Sequence, residues 1–214
     1  MRISEIFLSI QGEGVGIGAP TVFVRLYGCD LRCAWCDTMY AVEGGEFATM
    51  SLDEVKAEIG GKLGCKRVCV TGGEPLLQED EVSALTGWLL DNGYNVMLET
   101  SGHRAPPEIF SDPRCVVSLD CKCPGSGMDG RMDFSLITGL GAKDQLKFVI
   151  ADEADYLYAR GVLESCPTEA GVVFQPVYGK GLRWLAERVL SDGLGSVRVL
   201  PQLHKIMWGD RKGV

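Results

Sequence analysis

Three cysteines in one short stretch are the residues of this chain best suited to chemistry. Cys29, Cys33 and Cys36 stand at C-x3-C-x2-C spacing in Gly28-Cys29-Asp30-Leu31-Arg32-Cys33-Ala34-Trp35-Cys36-Asp37-Thr38, directly after an apolar run. Iron–sulfur clusters are normally held by four thiolates, so a compact set of three would hold three irons of a [4Fe–4S] cluster. The fourth iron would be left open to a ligand that is not protein. Two blander alternatives are a zinc knuckle, which would want a fourth Cys or His at ligand spacing, and three buried thiols with a packing role.

A second stretch points the same way. Residues 67–71 read as a buried strand that runs into Gly72-Gly73-Glu74-Pro75, about forty residues after the cysteine loop. Between the N-terminus and the cysteines lies Gln11-Gly12-Glu13-Gly14-Val15-Gly16-Ile17-Gly18, a glycine-rich loop with one amide and one carboxylate. Glycines let backbone approach a ligand closely, but this loop does not continue into the G-x-x-x-x-G-K-[ST] pattern of a triphosphate site.

The elements that must position these residues follow from the pattern of apolar side chains. Residues 5–10 read as a short first strand. Residues 21–27, 67–71, 94–99, 115–119, 145–150 and 172–175 read as six further strands, and residues 79–92, 152–165 and 181–190 as helices between and after them. Ser51-Leu52-Asp53-Glu54 is a capping box opening a helix that Gly60-Gly61 ends. In the last helix Leu182, Leu185, Ala186, Val189 and Leu190 share one face. Strands alternating with helices predict a parallel sheet, and six such strands fit an incomplete (β/α)6-type barrel with its site at the carboxyl ends of the strands. Residues 1–214 read as a single domain, since no repeat, linker or low-complexity tract splits them. Arg25 interrupts an otherwise buried run, and its guanidinium needs an anion, either an internal carboxylate or one on a substrate.

Composition narrows the partners. A formal charge of −8 with no Lys/Arg-rich run argues against a nucleic-acid backbone and favours a small molecule. No apolar run approaches the roughly 18 residues of a membrane span. Nine cysteines, an odd number, without a secretory leader pattern predict reduced thiols and a cytoplasmic location. Cys65, Cys69, Cys115, Cys121, Cys123 and Cys166 read as core or loop residues, with no second set at cluster spacing. His103 and His204 are the only histidines, and neither has a serine–carboxylate or metal-ligand pattern nearby in sequence. Both read as surface or satisfied core residues.

The cysteine spacing, with an aromatic residue before the third cysteine, and the Gly-Gly-Glu-Pro strand end resemble the two signatures of the radical S-adenosylmethionine (SAM) superfamily. Within it, Ser9-Ile10-Gln11-Gly12-Glu13-Gly14, Phe23-Val24-Arg25, the triad followed by Asp37-Thr38, Thr71-Gly72-Gly73-Glu74-Pro75 and Glu99-Thr100-Ser101-Gly102 resemble the 7-carboxy-7-deazaguanine synthase family. Gln175-Pro176 and Gln202-Leu203-His204-Lys205 extend that resemblance to the end of the chain.

The resemblance implies a lyase that contracts 6-carboxy-5,6,7,8-tetrahydropterin to 7-carboxy-7-deazaguanine with loss of ammonia, on the route to queuosine and archaeosine. It implies a [4Fe–4S] cluster on Cys29, Cys33 and Cys36, and Mg2+ at Thr38. It implies SAM at Gly73, Glu74, Ser118, Asp120, Lys122, Gln175 and Pro176, where Ser118-Leu119-Asp120-Cys121-Lys122 departs from the family's shorter Ser-Pro-Lys pattern and leaves Asp120 and Lys122 as alternatives. Substrate is implied at Ile10, Gln11, Gly12, Arg25, Thr71 and the C-terminal carboxylate of Val214. A reductant such as flavodoxin or ferredoxin and a homodimer are implied as partners. Two rivals are a radical activase, which would make a glycyl radical on a partner protein, and a non-enzymatic electron carrier. The activase would not need the Gln11-Gly12-Glu13-Gly14 loop, and the carrier would use four cysteines and no Gly-Gly-Glu-Pro.

Overall fold

A computed structural model of the chain describes residues 1–62 and 64–214. Among the described residues nine strands form one sheet: β1 (Arg2–Ile10), β2 (Pro20–Leu26), β3 (Ala48–Thr49), β4 (Arg67–Gly72), β5 (Asn95–Thr100), β6 (Cys115–Asp120), β7 (Gln145–Ile150), β8 (Gly171–Pro176) and β9 (Val197–Val199). Their spatial order is β3-β1-β2-β4-β5-β6-β7-β8-β9. From β2 through β9 every neighbouring pair is parallel, which is the partial barrel that the sequence predicts. Two features go beyond that prediction. β1 begins three residues earlier than its apolar pattern and pairs antiparallel with both β2 and β3, and a short β9 adds one more parallel strand. β3 and β9 are two and three residues long, too short to leave a period-two pattern in the sequence.

Alternation along the strands sorts side chains to two faces. Val22, Val24, Leu26, Val68, Val70, Val96, Leu98, Val117, Leu119, Leu146, Phe148, Ile150, Val172 and Phe174 form the outer core. Against them pack the helices α2 (Leu52–Gly60), α3 (Glu79–Asp91), α5 (Glu153–Ser165) and α6 (Leu182–Ser191). The residues between them in sequence, Phe23, Arg25, Thr71, Glu99, Ser118, Asp120, Lys147, Val149 and Gln175, line a cavity on the concave face. The same period that builds the core therefore delivers polar groups to the site.

Three short helices, α1 (Met39–Val42), α4 (Ser135–Thr138) and α7 (Leu203–Trp208), sit in the connections and near the C-terminus. The Ser51/Glu54 capping box is present with both reciprocal bonds. In α6 the buried stripe is narrower than the sequence predicts. Leu185 and Val189 are buried, but Leu182 and Leu190 are exposed, because α6 lies at the open edge of the sheet over β8 and the short β9. Among the described residues no helix is long and apolar enough to cross a membrane.

Candidate active site

The cavity opens at the carboxyl ends of the parallel strands and has a volume of about 420 Å3. The cysteine loop enters it from the end of β2. Gly28, at φ +107°, turns the chain out of the strand, a conformation that favours glycine. The loop then lies on the segment after β6, where Ala34 N–H donates to Ser126 O at 3.0 Å and the Trp35 ring closes over Gly125. Cys29, Cys33 and Cys36 are free, half-buried thiols, and all three line the cavity. Among the described residues no three His, Cys, Asp or Glu side chains converge on one point. A four-iron cluster takes its ligands at separate corners, and three cavity-facing thiolates suit it. Burial pushes the Cys33 thiol up, against the opposing pull of the nearby Lys122 ammonium.

The second motif packs directly on the first. A Cβ at Gly73 would come within 2.2 Å of Gly28 O and 2.9 Å of Cys29 Cβ, so only glycine fits there. Glu74 N–H donates to Gly28 O at 2.8 Å. The Glu74 side chain differs from expectation. Its carboxylate is fully buried, does not line the cavity, and accepts from Leu76 N–H, Thr100 Oγ1, Ser101 N–H and Ser101 Oγ at 2.5–3.0 Å. With four donors already on it, the carboxylate braces the ends of β4 and β5. Gly73 lines the cavity and Pro176 does not, since Pro176 falls on the outer face of β8 by alternation while Gln175 faces in.

Gln175 is the most informative of the cavity residues. It is fully buried, and neither its Nε2 nor its Oε1 has a hydrogen-bond partner. Asp120 Oδ1 is likewise buried without a partner, while Asp120 Oδ2 binds Lys122 Nζ at 2.9 Å and Lys147 Nζ at 3.4 Å. Buried polar atoms left unpaired cost about 1–3 kcal/mol each, so these atoms mark where a polar ligand belongs. Ser118 also lines the cavity, with its hydroxyl taken by Gln145 Nε2 at 2.5 Å.

On the β1, β2 and β4 side, Ile10, Gln11, Gly12, Arg25 and Thr71 all line the cavity. Arg25 Nε donates to Glu5 Oε1 at 2.7 Å, and Tyr40 Oη donates to the same oxygen. An internal carboxylate is thus the partner of that nitrogen. Gln11 Nε2 donates to Glu99 Oε1 at 3.2 Å and Thr71 Oγ1 to Glu99 Oε2 at 3.0 Å, so Glu99 organises this wall. Thr38 lines the cavity beside Asp37, its Oγ1 3.7 Å from Cys36 Sγ. Val214, at the end of the chain, lines the cavity too.

Among the lining residues to which the sequence reading gives no site role are Glu13, Glu99, Lys147 and His204, three of them inside motifs that it notes. Lys147 Nζ binds Glu13 Oε2 at 2.7 Å. Burial acts to raise the Glu13 carboxyl, but Lys147, His204 and the Gln202 amide outweigh it and hold it down at about 2. His204 packs so closely on Gly12 that a Cβ there would meet its Nδ1 at 2.2 Å, so Gly12 makes room for a side chain of this protein. Glu99 and Lys147 were detectable as inward-facing positions of their strands. His103 is the satisfied residue that the sequence predicts, but the fold also brings to it the serine and carboxylate that the sequence does not show: Nδ1 lies 3.0 Å from Ser101 Oγ and Nε2 lies 2.8 Å from Asp30 Oδ1.

Residues 23–112 match the family model described as the Radical SAM superfamily. A 7-carboxy-7-deazaguanine synthase of Koribacter versatilis is 40% identical over 231 residues, covering 100% of both chains. Proteins of the same name from Thermoplasma acidophilum (38% identical, 100% of both chains) and Methanospirillum hungatei (41% identical, 97% of this chain and 85% of that protein) are similar. The fold is that of the Escherichia coli QueE crystal structure, with a TM-score of 0.78 at 24% identity over 95% of this chain and 94% of that one. Two packed motifs at adjoining strand ends, a cavity at their junction and full-length relatives at this identity agree, and the chain belongs to the 7-carboxy-7-deazaguanine synthase family of radical SAM enzymes.

Proposed function

We propose that residues 1–214 act as one domain to convert 6-carboxy-5,6,7,8-tetrahydropterin to 7-carboxy-7-deazaguanine with loss of ammonia. The observation that carries the reading is the unpartnered, fully buried Gln175 amide in the same cavity as three free thiols. Cys29, Cys33 and Cys36 would hold a [4Fe–4S] cluster, and Gly73, Ser118, Asp120, Lys122 and Gln175 would hold SAM. When bound, these groups supply a hydrogen-abstracting radical, which makes a general-base histidine unnecessary.

The chain's own residues provide shape and charge. Glu99 holds Gln11 and Thr71 in one wall, and Lys147 ties the glycine-rich loop to β7 through Glu13. Ile10, Gln11, Gly12, Arg25 and Thr71 would face the pterin, and the carboxylate of Val214 would accept from its amino-bearing edge. Magnesium at Thr38 would find a hydroxyl and the neighbouring Asp37 carboxylate, hard oxygens of the kind it prefers. We further infer a cytoplasmic homodimer served by a flavodoxin- or ferredoxin-type reductant.

Anaerobically reconstituted protein with SAM, dithionite, Mg2+ and the carboxypterin should form the deazaguanine. Release of 5′-deoxyadenosine without deazapurine would point instead to a different radical substrate. No 5′-deoxyadenosine at all would overturn the assignment. Full activity in the presence of a chelator would remove magnesium from it.

A further inference from the structure

Cys29 is held from both sides by one buried residue, Glu74, through its backbone N–H on one side and its carboxylate on the other. On its N-terminal side, Gly28 O accepts from Glu74 N–H at 2.8 Å. On its C-terminal side, Asp30 Oδ1 meets His103 Nε2 at 2.8 Å, His103 Nδ1 meets Ser101 Oγ at 3.0 Å, and Ser101 Oγ donates to Glu74 Oε2 at 2.5 Å. The circuit leaves Glu74, passes both flanks of Cys29 and returns to Glu74. Among the described residues, His103 is its only link between the loop after β5 and the cysteine loop that is also shielded from water, with a side chain 5% exposed. Arg104 and Arg131 also reach Asp30 Oδ2, at 3.1 and 3.5 Å, but from exposed positions.

Both ring nitrogens of His103 are engaged, Nδ1 with Ser101 Oγ and Nε2 with Asp30 Oδ1. The contact with the Asp30 carboxylate is charge-assisted, a class of hydrogen bond roughly twice as strong as neutral ones. The sequence hides the arrangement, since Asp30 and His103 lie 73 residues apart.

We propose that His103 and Asp30 are positioning residues for the cluster ligand Cys29: together with Ser101 they lock the cysteine loop to the Gly-Gly-Glu-Pro turn and so fix the cluster relative to the SAM site. The proposal rests on the cluster and SAM reading given above. It assigns the Glu74 side chain to the brace. Partners one step removed from metal ligands commonly change metal retention about 10- to 100-fold when lost.

The test uses the full chain, reconstituted anaerobically. His103→Leu removes both links, and Asp30→Asn keeps the shape of the acceptor while removing its charge. Arg131→Ala is the control, since it touches Asp30 only from the exposed rim. All three variants should take up iron as the wild type does, because the three thiols remain. His103→Leu and Asp30→Asn should lose cluster absorbance to a chelator about tenfold faster than wild type. Their reduced-cluster electron paramagnetic resonance spectra should lose the change that SAM produces in the wild type. Arg131→Ala should stay within about twofold, and the double variant should be no worse than the more severe single one, because both act on one brace. Wild-type bleaching rates and spectra in both variants overturn the inference. Should His103→Leu fail to fold by circular dichroism, Asp30→Asn decides alone. A wild type that takes up no cluster would overturn the functional reading instead, a result distinguishable from any outcome in the variants.

Discussion

Lys147 pairs with two carboxylates of the cavity, and its removal gives a signed, pH-dependent prediction. Its ammonium reaches Glu13 at 2.7 Å and Asp120 at 3.4 Å from a side chain only 9% exposed. Lys147→Met keeps the aliphatic stem and deletes the charge. In the wild type the Glu13 carboxyl is held at about 2, against an ordinary value of 4.5. At about 1.36 kcal/mol per pH unit that span amounts to on the order of 3 kcal/mol. A depressed carboxyl stabilises fully above its unfolded value, so this contribution is complete above about pH 4.5 and lost between there and about pH 2.

Without Lys147 the burial of Glu13 is offset only by Gln202 and His204, and its carboxyl should rise. The variant is then least stable, relative to wild type, near neutral pH and recovers as Glu13 takes up a proton. Gln202 and His204 remain beside Glu13 and Lys122 remains beside Asp120, which places the expected loss at about 2–3 kcal/mol at pH 7.5. Denaturant unfolding of cluster-free wild type and variant at pH 7.5, 6.5 and 5.5 measures the gap. It should narrow with each step toward acid, and Glu13→Gln in the Lys147→Met background should close most of it. A gap under about 1 kcal/mol at pH 7.5, or one equal at all three pH values, would refute the reasoning.

Three further outcomes follow from the same geometry. Cys33→Ala should abolish iron uptake, whereas joint replacement of Cys121 and Cys123 by Ala should leave the iron count unchanged, since both are buried in the outer core and burial pushes the Cys121 thiol up to about 12; iron analysis after reconstitution decides both. A short C-terminal extension should raise the Michaelis constant for the pterin while leaving SAM cleavage intact, because Val214 lines the cavity, and an unchanged constant would remove the terminal carboxylate from the site.

What was legible in the sequence was whatever depends on local pattern. β4 through β8 announce themselves by apolar runs, and α2 by its capping box, because each element is specified by neighbours a few residues away. The thiols were legible for the same reason. Glu74 shows the limit: its motif places it at the strand end, but only the fold reveals four donors already on the carboxylate. Pro176 shows another, since adjacency to Gln175 in sequence means opposite faces in a strand. Gly12 invited a ligand-approach reading, and the close neighbour turned out to be His204, some 190 residues later in the chain.

The charged lining divides by whether a side chain already has its partner. Arg25 has Glu5, Lys147 has Glu13, and Lys122 has Asp120, all at 2.7–2.9 Å. These pairs join β2 to β1, β7 to the glycine-rich loop, and the end of β6 to the loop after it. Breaking such a pair costs about 3–5 kcal/mol, so Arg25 and Lys122 would meet a ligand through the N–H donors that their partners leave over, with the pairs intact. They shape the walls and set the local field. The Gln175 amide and Asp120 Oδ1 are buried without partners, a cost that a polar ligand would remove. Gln175 is neutral, so neither charge pattern nor net charge could have singled it out. Its role follows from the combination of an inward position at a strand end, complete burial and an unused amide. By that criterion Gln175 belongs to the binding surface, Lys147 to the wall that holds it, and Asp120 to both, since Oδ2 closes the ion pairs while Oδ1 stays open.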